Sequence, residues 1–413
     1  MQTVSCQNKK ENFPKLTIAF PIWILYDTPG ENACYHDVDR IVREHKERGF
    51  NCIRCDSGAG LMHDRFGNPR GEVELTYPFT GYGDKLRQFN VTGEGGKCDL
   101  LPRLIALAEA ALRHGVKLIL SSWYYLHTFW FQPVGDPLCQ EHFDVPKTDR
   151  VTLFGEYLHY ILCELESRGL DGCIAFAEIF NEANGEELVD YTNEETKQKT
   201  LENHEAALAR LQAAHPQILF AYDVTTPMSP DTVPANMQVL NFHSYFLWDI
   251  YDIVADAHPE FFGDEITLEE VVASRAGRHP ADPGWYDRIA KYENLLPQAL
   301  PAFAAALEEQ LKKDFDRYCA QCDEVLDLLP AMTAKAPDVP IVCGEGVTYI
   351  ASKALLWEEN SDLYWRLIER TLKEYKSRGI RGTVIRTCMG PEDPAWTLCP
   401  DRILHYCNLF LAD

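Results

Sequence analysis

Two glutamates occupy positions from which their carboxylates could act on one substrate. Glu182 follows the apolar segment 173–180, and Glu345 follows the apolar run 341–344. If both segments are parallel strands, the two carboxylates lie at the same mouth of the sheet and can converge. Cleavage of a glycosidic bond needs such a pair, one carboxyl neutral to protonate the leaving oxygen and one ionised to attack the anomeric carbon. A single glutamate at a strand end is commonly a capping or ion-paired residue, so the functional interpretation depends on the pair.

Polar residues on neighbouring segments could support that chemistry. Arg54 lies in an apolar segment, where a buried guanidinium needs an acidic partner, and Glu178 or Glu345 would provide one. Such an ion pair could equally be structural. Tyr245 could donate a hydrogen bond that keeps a carboxylate ionised, although it could also be a packed core residue. His243 is expected to contact a sugar.

An aromatic cluster follows the predicted third strand. Its members are Trp123, Tyr124, Tyr125, Phe129, Trp130 and Phe131. Flat aromatic faces stack on the apolar C–H faces of sugar rings, and we expect part of the cluster to do so while the rest forms the core of a loop. His127 lies in the same segment and could contact a sugar or satisfy backbone groups.

The elements that position these residues follow a repeated local pattern. A polar helix end that carries Arg or His is followed by glycine and then by an apolar run at 47–53, 113–120, 167–176 and 377–385. Glycine can adopt the left-handed conformation that ends a helix, and the basic residue lies where the helix dipole is negative. Repetition of helix, glycine and buried strand indicates parallel α/β architecture.

Eight strands and seven helices complete this pattern. The strands are expected near 17–24, 50–55, 116–122, 173–180, 217–222, 237–242, 340–344 and 382–387, and the helices at 36–48, 100–113, 151–168, 191–214, 302–329, 361–377 and 400–411. Because no Gly-x-Gly-x-x-Gly follows the first strand, the pattern favours a closed (β/α)8 TIM barrel over a doubly wound sheet. Strands five and six are expected to be joined by a short connection.

The chain is expected to form a single catalytic barrel domain over residues 1–413. Its longest interruption, at about 249–300, follows strand six and would rise from the carboxyl-terminal face of the barrel, where active sites form. This insertion would be a lid, a subsite wall or a dimer contact, so a homo-oligomer is left open.

Taken in chain order, the residues at these positions resemble the motifs of the retaining glycoside hydrolases of clan A. The resemblance is greatest to the cellulase family, glycoside hydrolase family 5. Asn181-Glu182 resembles the Asn-Glu pair that ends strand four of that family, and Glu178 matches the acidic residue of the same run. The resemblance implies that Glu182 is the acid/base and that Asn181 donates to the 2-hydroxyl of the sugar. Gly344-Glu345 resembles the Gly-Glu of strand seven, which implies that Glu345 is the nucleophile.

The resemblance extends to the supporting residues. His243-Ser244-Tyr245 resembles the His-x-Tyr of strand six, which implies that Tyr245 positions the nucleophile. The segment 50–54 resembles the strand-two motif whose arginine, Arg54 here, steadies the catalytic carboxylates.

The chain also departs from the family pattern. Ala183 replaces the proline that usually follows the acid/base, and strand three ends in 121–127 instead of the common Leu-His-His. Strand eight gives Arg386-Thr387-Cys388 where the family often has a tryptophan, and Trp396 would take over that stacking role. These departures bear on substrate and subfamily rather than on the reaction.

Composition excludes some classes of partner. The chain has 413 residues, of which 46% are hydrophobic, and a formal net charge of −24. An acidic surface repels phosphate backbones and anionic lipid, which argues against nucleic acid and membranes and is compatible with a carbohydrate substrate. The first residues contain no apolar region typical of a secretory signal, and several of the 14 cysteines fall inside predicted strands or helices. We therefore expect a reducing, cytoplasmic location.

No metal or organic cofactor is expected. The spacing Cys52-x-x-Cys55 lies on a predicted strand, where residues three apart point to opposite faces. Cys319-x-x-Cys322 lies within a predicted helix and has no second pair of matching spacing. Neither pattern indicates a zinc site.

These observations predict a retaining β-glycosidase that hydrolyses an oligosaccharide or small glycoside by double displacement, with exo action. Its carboxyl groups should lie about 5–5.5 Å apart, against about 6.5–9.5 Å in an inverting enzyme. One alternative is a catalytically inactive, cellulase-like protein that binds sugar, and another is a transglycosylase or phosphorylase. A third is a barrel lyase or isomerase that uses Glu182 as a base, although no lysine ends a predicted strand.

Overall fold

Eight parallel strands form a closed barrel at the centre of the molecule. The computed structural model of the protein describes residues 12–26, 34–75, 96–123, 137–185, 190, 193–274, 284–348, 352–387 and 389–412. The barrel strands are β1 (Leu16–Ala19), β2 (Cys52–Asp56), β3 (Lys117–Ser121), β4 (Ile174–Glu178), β5 (Phe220–Val224), β6 (Val239–Ser244), β7 (Ile341–Gly346) and β8 (Gly382–Val384). Each strand pairs with the next along the chain, and β8 pairs with β1 through Leu16 and Gly382. The predicted (β/α)8 barrel is therefore confirmed.

Helices connect and surround the strands. They are α1 (Val38–Glu47), α2 (Ala59–Met62), α3 (Leu100–His114), α4 (Pro137–Phe143), α5 (Lys147–Ser167), α6 (Glu194–Ala214), α7 (Ile250–Ala257), α8 (Leu268–Ser274), α9 (Trp285–Glu293), α10 (Leu300–Met332), α11 (Trp357–Asn360), α12 (Asp362–Ser377), α13 (Pro394–Leu398) and α14 (Pro400–Leu411). All seven predicted helices are present, and the long helix α10 is kinked at Asp314. The glycines of the repeated pattern all have positive φ, as the helix-ending interpretation requires: Gly49, Gly115, Gly169 and Gly379.

The strands are almost completely buried, because helices cover one face of the sheet and the barrel interior fills the other. Every residue of β1, β2, β5, β6, β7 and β8 is buried. Strands enclosed on both faces are expected to be apolar along their whole length. The polar and charged residues on these strands are therefore exceptions that need buried partners.

Several boundaries differ from the sequence prediction. β1 ends at Ala19 instead of residue 24, because Pro21 has no amide hydrogen for the sheet and residues 22–26 turn instead. That turn contains bonds from Ile24 N to Pro21 O (3.1 Å) and from Tyr26 N to Trp23 O (2.8 Å). A two-stranded antiparallel sheet, formed by Val73–Leu75 and Gly96–Cys98, was not predicted. Strands β5 and β6 are joined without an α-helix, as predicted, by a segment whose regular structure is a 3-10 turn at Pro230–Thr232.

The insertion after β6 contains three helices, α7, α8 and α9, in its described part. Helix α7 packs against α10, and an antiparallel bridge joins Phe262 to Leu295. The loop that starts the insertion is tied to the loop after β7, because Leu247 N donates to Val347 O at 3.0 Å. The insertion therefore begins at the mouth of the barrel, and its function as a lid, subsite wall or dimer contact stays a prediction.

The described part of the chain has no membrane-spanning helix and no disulfide. None of its helices combines the length and the apolar character that a membrane crossing requires. The cysteines whose side chains are described are all free thiols rather than disulfides.

Candidate active site

Charged side chains from five of the eight strands meet at the carboxyl-terminal end of the barrel. They are Arg54 on β2, Glu178 on β4, Asp223 on β5, His243 on β6 and Glu345 on β7. Each of these residues is buried, with an exposed fraction of 5% or less. Glu182 and Asn181 lie in the turn that follows β4.

Arg54 links the acidic residues of this cluster. Its guanidinium donates to Glu345 Oε1 at 2.5 Å and to Glu178 Oε2 at 2.8 Å, so both predicted acidic partners are present. It also donates to Asp223 Oδ2 at 2.5 Å and to Asn181 Oδ1 at 2.8 Å. Burial alone would lower the pKa of Arg54, but the surrounding carboxylates raise it above its ordinary value. Arg54 therefore carries a permanent positive charge that fixes several acceptors.

His243 connects the two predicted catalytic glutamates through its ring nitrogens. Nδ1 lies 3.0 Å from Glu182 Oε1, and Nε2 lies 3.1 Å from Asp223 Oδ1 and 3.5 Å from Glu345 Oε1. Burial would lower the pKa of His243, but Asp223 and Glu345 raise it well above its ordinary value. The ring is therefore an imidazolium whose two N–H groups both donate to carboxylates.

The two glutamates lie within reach of one bound sugar. One carboxylate oxygen of Glu182, one of Glu345 and one ring nitrogen of His243 all lie within 4.8 Å of one another. Tyr245 donates a short hydrogen bond to Glu345 Oε2, and Arg54 donates to Oε1 of the same carboxylate. The Glu345 side chain is 6% exposed, whereas that of Glu182 is 24% exposed. One carboxylate is thus tightly held and the other can reach solvent.

Burial and charge separate the protonation behaviour of the acidic residues. Burial raises the pKa of Glu345, a rise that His243 and Arg54 oppose. Burial also raises the pKa of Glu178, to about 7, because the attraction of Arg54 does not fully compensate and Asp223 adds repulsion. The pKa of Asp223 is lowered, since His243 and Arg54 outweigh the effect of burial.

The backbone has a positive φ at Glu182 and at Val347, which lies two residues after Glu345. Among the described residues, Glu182 (φ 50°) and Val347 (φ 76°) are the non-glycine residues with positive φ. The Glu182 turn is held by Asp223, whose Oδ1 accepts from Glu182 N at 3.0 Å and whose carbonyl accepts from Ala183 N at 2.9 Å. Non-glycine residues held in this region of φ occur preferentially at functional sites.

The structure brings most, but not all, of the predicted site residues together. Asn181, His243, Tyr245 and Arg54 contact one another or the two glutamates, as described above. Trp123 is 1% exposed and lies beneath Arg54, with its ring centroid 4.6 Å from the guanidinium carbon. It therefore supports the arginine rather than offering a face to a sugar. His127 lies outside the described residues, as does the rest of the aromatic cluster.

Trp396 does not stand near this cluster. Its ring packs 3.9 Å from the Arg48 guanidinium carbon and 4.6 Å from the ring of His45, and it is 2% exposed. His45 lies on α1 and Arg48 is the C-cap residue that follows it, so both belong to the outer layer of helices. The expectation that Trp396 stacks on a sugar is therefore corrected, because helix packing already covers both the ring and its neighbours.

Two members of the cluster, Asp223 and Asn241, were not singled out in the sequence. Asn241 Nδ2 donates to Glu178 Oε1 at 2.6 Å and to Asp223 Oδ2 at 2.8 Å. Asp223 lies one residue beyond the predicted fifth strand, and the signal that could have found it is the one used for Glu182, an acidic residue at the end of an apolar strand.

Just beyond β8, Arg386 forms the centre of a second buried ion-pair cluster. Arg386 is 3% exposed and donates to Glu358 Oε2 at 2.6 Å, to Glu359 Oε1 at 3.0 Å and to Asp393. Tyr251 also donates to Glu358, at 2.5 Å. These contacts tie the segment after β8 to α11, to α7 and to the start of α13.

Fold and site together define a (β/α)8 barrel with a buried carboxylate network at its carboxyl-terminal mouth. A protein from Parabacteroides distasonis, provisionally described as a glycoside hydrolase, matches with a TM-score of 0.67 and 16% identity over 97% of this chain and 94% of its own. A broad-specificity endoglucanase from an uncultured bacterium matches with a TM-score of 0.49 and 9% identity, over 99% and 97% of the two chains. A family 5 mannosidase from Rhizomucor miehei gives a TM-score of 0.45 and 12% identity, over 98% and 96%.

These similarities concern the fold. At 16% identity, the Parabacteroides distasonis protein shares the barrel architecture with this chain, and the other two are more distant. No protein-family profile matches the sequence, and no curated protein matches it by sequence.

Proposed function

We propose that this protein is a retaining β-glycosidase built as one catalytic barrel domain, with a carbohydrate as its substrate. The observation that carries the proposal is the approach of Glu182 and Glu345, because one carboxylate oxygen of each lies within 4.8 Å of the other. Retaining glycosidases place their carboxyl groups about 5–5.5 Å apart, whereas inverting enzymes leave room for a water between them. The spacing here therefore favours direct attack by one carboxylate.

Glu345 is the nucleophile in this proposal. It is the more buried of the pair, and Arg54 and Tyr245 each donate to one of its oxygens. These donors hold the carboxylate in one orientation and stabilise its negative charge until it attacks the anomeric carbon. The bond from Glu345 to the anomeric carbon forms as the bond to the leaving oxygen breaks, which gives a glycosyl-enzyme.

Glu182 is the acid/base. Its side chain is 24% exposed, so it can exchange protons with solvent, which the nucleophile does not need to do. It gives a proton to the leaving oxygen in the first step and takes one from water in the second, when water displaces Glu345 from the anomeric carbon. His243 donates to Glu182 and keeps its carboxyl group facing Glu345.

A pocket that accepts the end of a sugar chain would suit this arrangement, so we propose exo action on an oligosaccharide or small glycoside. The insertion that carries α7, α8 and α9 starts at the mouth of the barrel and would form a wall of the pocket. Location in the cytoplasm remains part of the proposal, and its basis is the placement of several cysteines inside predicted strands and helices.

A panel of aryl β-glycosides, with release of the aryl alcohol as the readout, tests this function. We expect hydrolysis of at least one member and its loss in Glu345→Gln, which keeps the shape of the side chain and removes the nucleophile. Glu47→Gln, at an exposed glutamate that ends α1, is the matched control and should behave as the parent. Unchanged hydrolysis in Glu345→Gln would contradict the proposal.

Binding measurements separate the enzyme from a sugar-binding protein. If the parent binds a glycoside without hydrolysing any member of the panel, the barrel is a binding protein and the proposed reaction is wrong. If added acceptor sugar diverts most of the product into a new glycoside, the same glutamates serve transglycosylation instead of hydrolysis.

A further inference from the structure

A second cluster of reactive side chains lies between α5 and α6, away from the mouth of the barrel. His159 and Cys163 are one helical turn apart on α5, and His215 is the residue that follows α6. His159 Nδ1 lies 2.8 Å from His215 Nε2, and Cys163 Sγ lies 3.8 Å from the His159 ring nitrogens. The ligand atoms of the three residues all lie within 4.8 Å of one another.

The surroundings orient His215 toward the cluster. His215 is 1% exposed, and its Nδ1 lies 2.8 Å from Glu166 Oε1. Gln217 donates to the same Glu166 oxygen. A histidine that binds a metal usually donates its second ring N–H to a carboxylate, which fixes the tautomer and the ring orientation. Glu166 is the corresponding carboxylate here, and its contact with Nδ1 turns Nε2 of His215 toward His159 and Cys163.

We propose that His159, Cys163 and His215 bind one transition-metal dication of the zinc class. Two imidazoles and one thiolate are ligands that Zn²⁺ prefers, and a tetrahedral ion would hold these ligand atoms about 3.3–3.6 Å apart. The pair of nitrogens therefore separates by about 0.5 Å on binding, and the ion replaces the hydrogen bond between them as the proton on His159 Nδ1 moves to Nε2 of the same ring. The thiol of Cys163 loses its proton to solvent in the same step.

The fourth ligand position is open to solvent. Cys163 is exposed, and His159 lines a cavity of about 170 Å³ between the two helices, through which an ion can enter. The site joins the ends of two consecutive helices at the amino-terminal end of the barrel, where residues of a (β/α)8 barrel contribute to stability rather than to catalysis. The bound ion therefore stabilises the α5–α6 pair without taking part in turnover.

Cobalt titration of chelator-treated protein tests this site, because Co²⁺ replaces Zn²⁺ and reports its ligands by absorption. We expect one Co²⁺ per chain, with intense ligand-field bands of a tetrahedral site and a thiolate-to-cobalt charge-transfer band. Added Zn²⁺ should remove both sets of bands by competition. Failure to reach saturation at one ion per chain would overturn the proposal.

Variants assign the ligands. Cys163→Ser, at an exposed position that tolerates serine, should lose the charge-transfer band and bind Zn²⁺ more than about tenfold more weakly. Cys319→Ser, at a half-buried thiol on α10, is the matched control and should keep the band. His159→Ala should weaken binding to a similar degree, with glycoside hydrolysis unchanged. An undiminished band in Cys163→Ser, or its loss in Cys319→Ser, would contradict the assignment.

Discussion

Two cations, Arg54 and His243, set the charge balance among the acidic residues at the mouth of the barrel. Arg54 contacts Glu178, Asp223 and Glu345, and His243 contacts Glu182, Asp223 and Glu345. Carboxylates this close would repel one another strongly without the cations, and a buried charge without a partner is costly. The cations therefore allow the two glutamates to lie close together, as the proposed double displacement requires.

Replacing the acid/base should have an effect that depends on the leaving group. Glu182→Gln cannot donate a proton, and general acid catalysis contributes about 10²–10⁴-fold to rates. We expect kcat to fall in this range for glycosides with poor leaving groups. For dinitrophenyl glycosides, whose leaving group needs little protonation, glycosylation should be nearly unaffected. An equal fall in the glycosylation rate for both classes would remove Glu182 from the role of acid.

Asp223 should act through His243. Asp223→Asn removes a carboxylate that holds the pKa of His243 well above its ordinary value, so that pKa should fall. The variant should then lose kcat/KM as the pH rises through neutrality, where the parent keeps its imidazolium. The pH profile of kcat/KM and the NMR titration of the His243 ring measure this effect. Asp231→Asn, at an exposed position, is the control, and identical profiles for Asp223→Asn and the parent would contradict the role.

At the scale of elements, an irregularity in the sheet orients Glu345, the proposed nucleophile. Phe242 pairs with Cys343, but His243 pairs with Glu345, so Gly344 is an extra residue on β7. Such a bulge bends the strand and redirects the following side chain, here Glu345. A glycine is needed because a Cβ at residue 344 would lie 2.3 Å from Nδ2 of Asn241. The bulge and Asn241 thus form one structural unit with the nucleophile.

Gly344→Ala should therefore disturb both stability and activity. The added methyl group forces Asn241 or β7 to move, and overpacking of this kind typically costs about 1–3 kcal/mol of unfolding free energy. We also expect kcat/KM to fall by more than about tenfold, since small displacements of a catalytic group are costly. Gly172→Ala is the matched control, because its Cβ would meet Leu112 at 3.7 Å, an ordinary contact. Equal behaviour of the two variants would argue against the bulge as the positioning device.

Local sequence patterns predict the elements of this fold but not their register. The repeated glycines mark helix ends, and the apolar runs mark strands, because both depend on nearby residues. The bulge at Gly344 depends on how β7 pairs with β6, which no local pattern reveals. Asp223 was missed for a related reason, since its partners Arg54 and His243 come from other strands. The predicted stacking role of Trp396 was wrong because closeness in sequence to strand eight does not show whether a side chain faces the barrel mouth or packs among the outer helices.

At the scale of the whole molecule, the buried cluster should make stability depend on pH. The pKa of Glu178 is raised to about 7 in the folded protein, above its value in the unfolded chain. A raised pKa means that the folded state holds the proton more tightly, so this stabilisation is complete below about pH 4.3 and is lost as the pH rises through about 7. The lowered pKa of Asp223 acts in the opposite sense and removes stability as the pH falls below about 3.9.

Glu178→Gln tests the first of these effects. The variant is less stable overall because it loses a charged contact to Arg54, but it has no proton to lose. We expect its unfolding free energy to decline less than that of the parent between pH 5 and pH 8, by an amount on the order of 2 kcal/mol. Urea unfolding at several pH values gives this difference. Parallel curves for the two proteins would show that Glu178 does not titrate in this range.

The anomeric configuration of the first product tests the central claim most directly. Double displacement at Glu345 inverts the anomeric carbon twice, so an aryl β-glycoside should first release the β-sugar, with the α-anomer appearing later by mutarotation. Proton NMR during rapid hydrolysis follows the two anomeric signals over time. Initial release of the β-anomer is the predicted result. Initial release of the α-anomer would show a single displacement by water and would contradict the assignment of Glu345 as a nucleophile that forms a covalent intermediate.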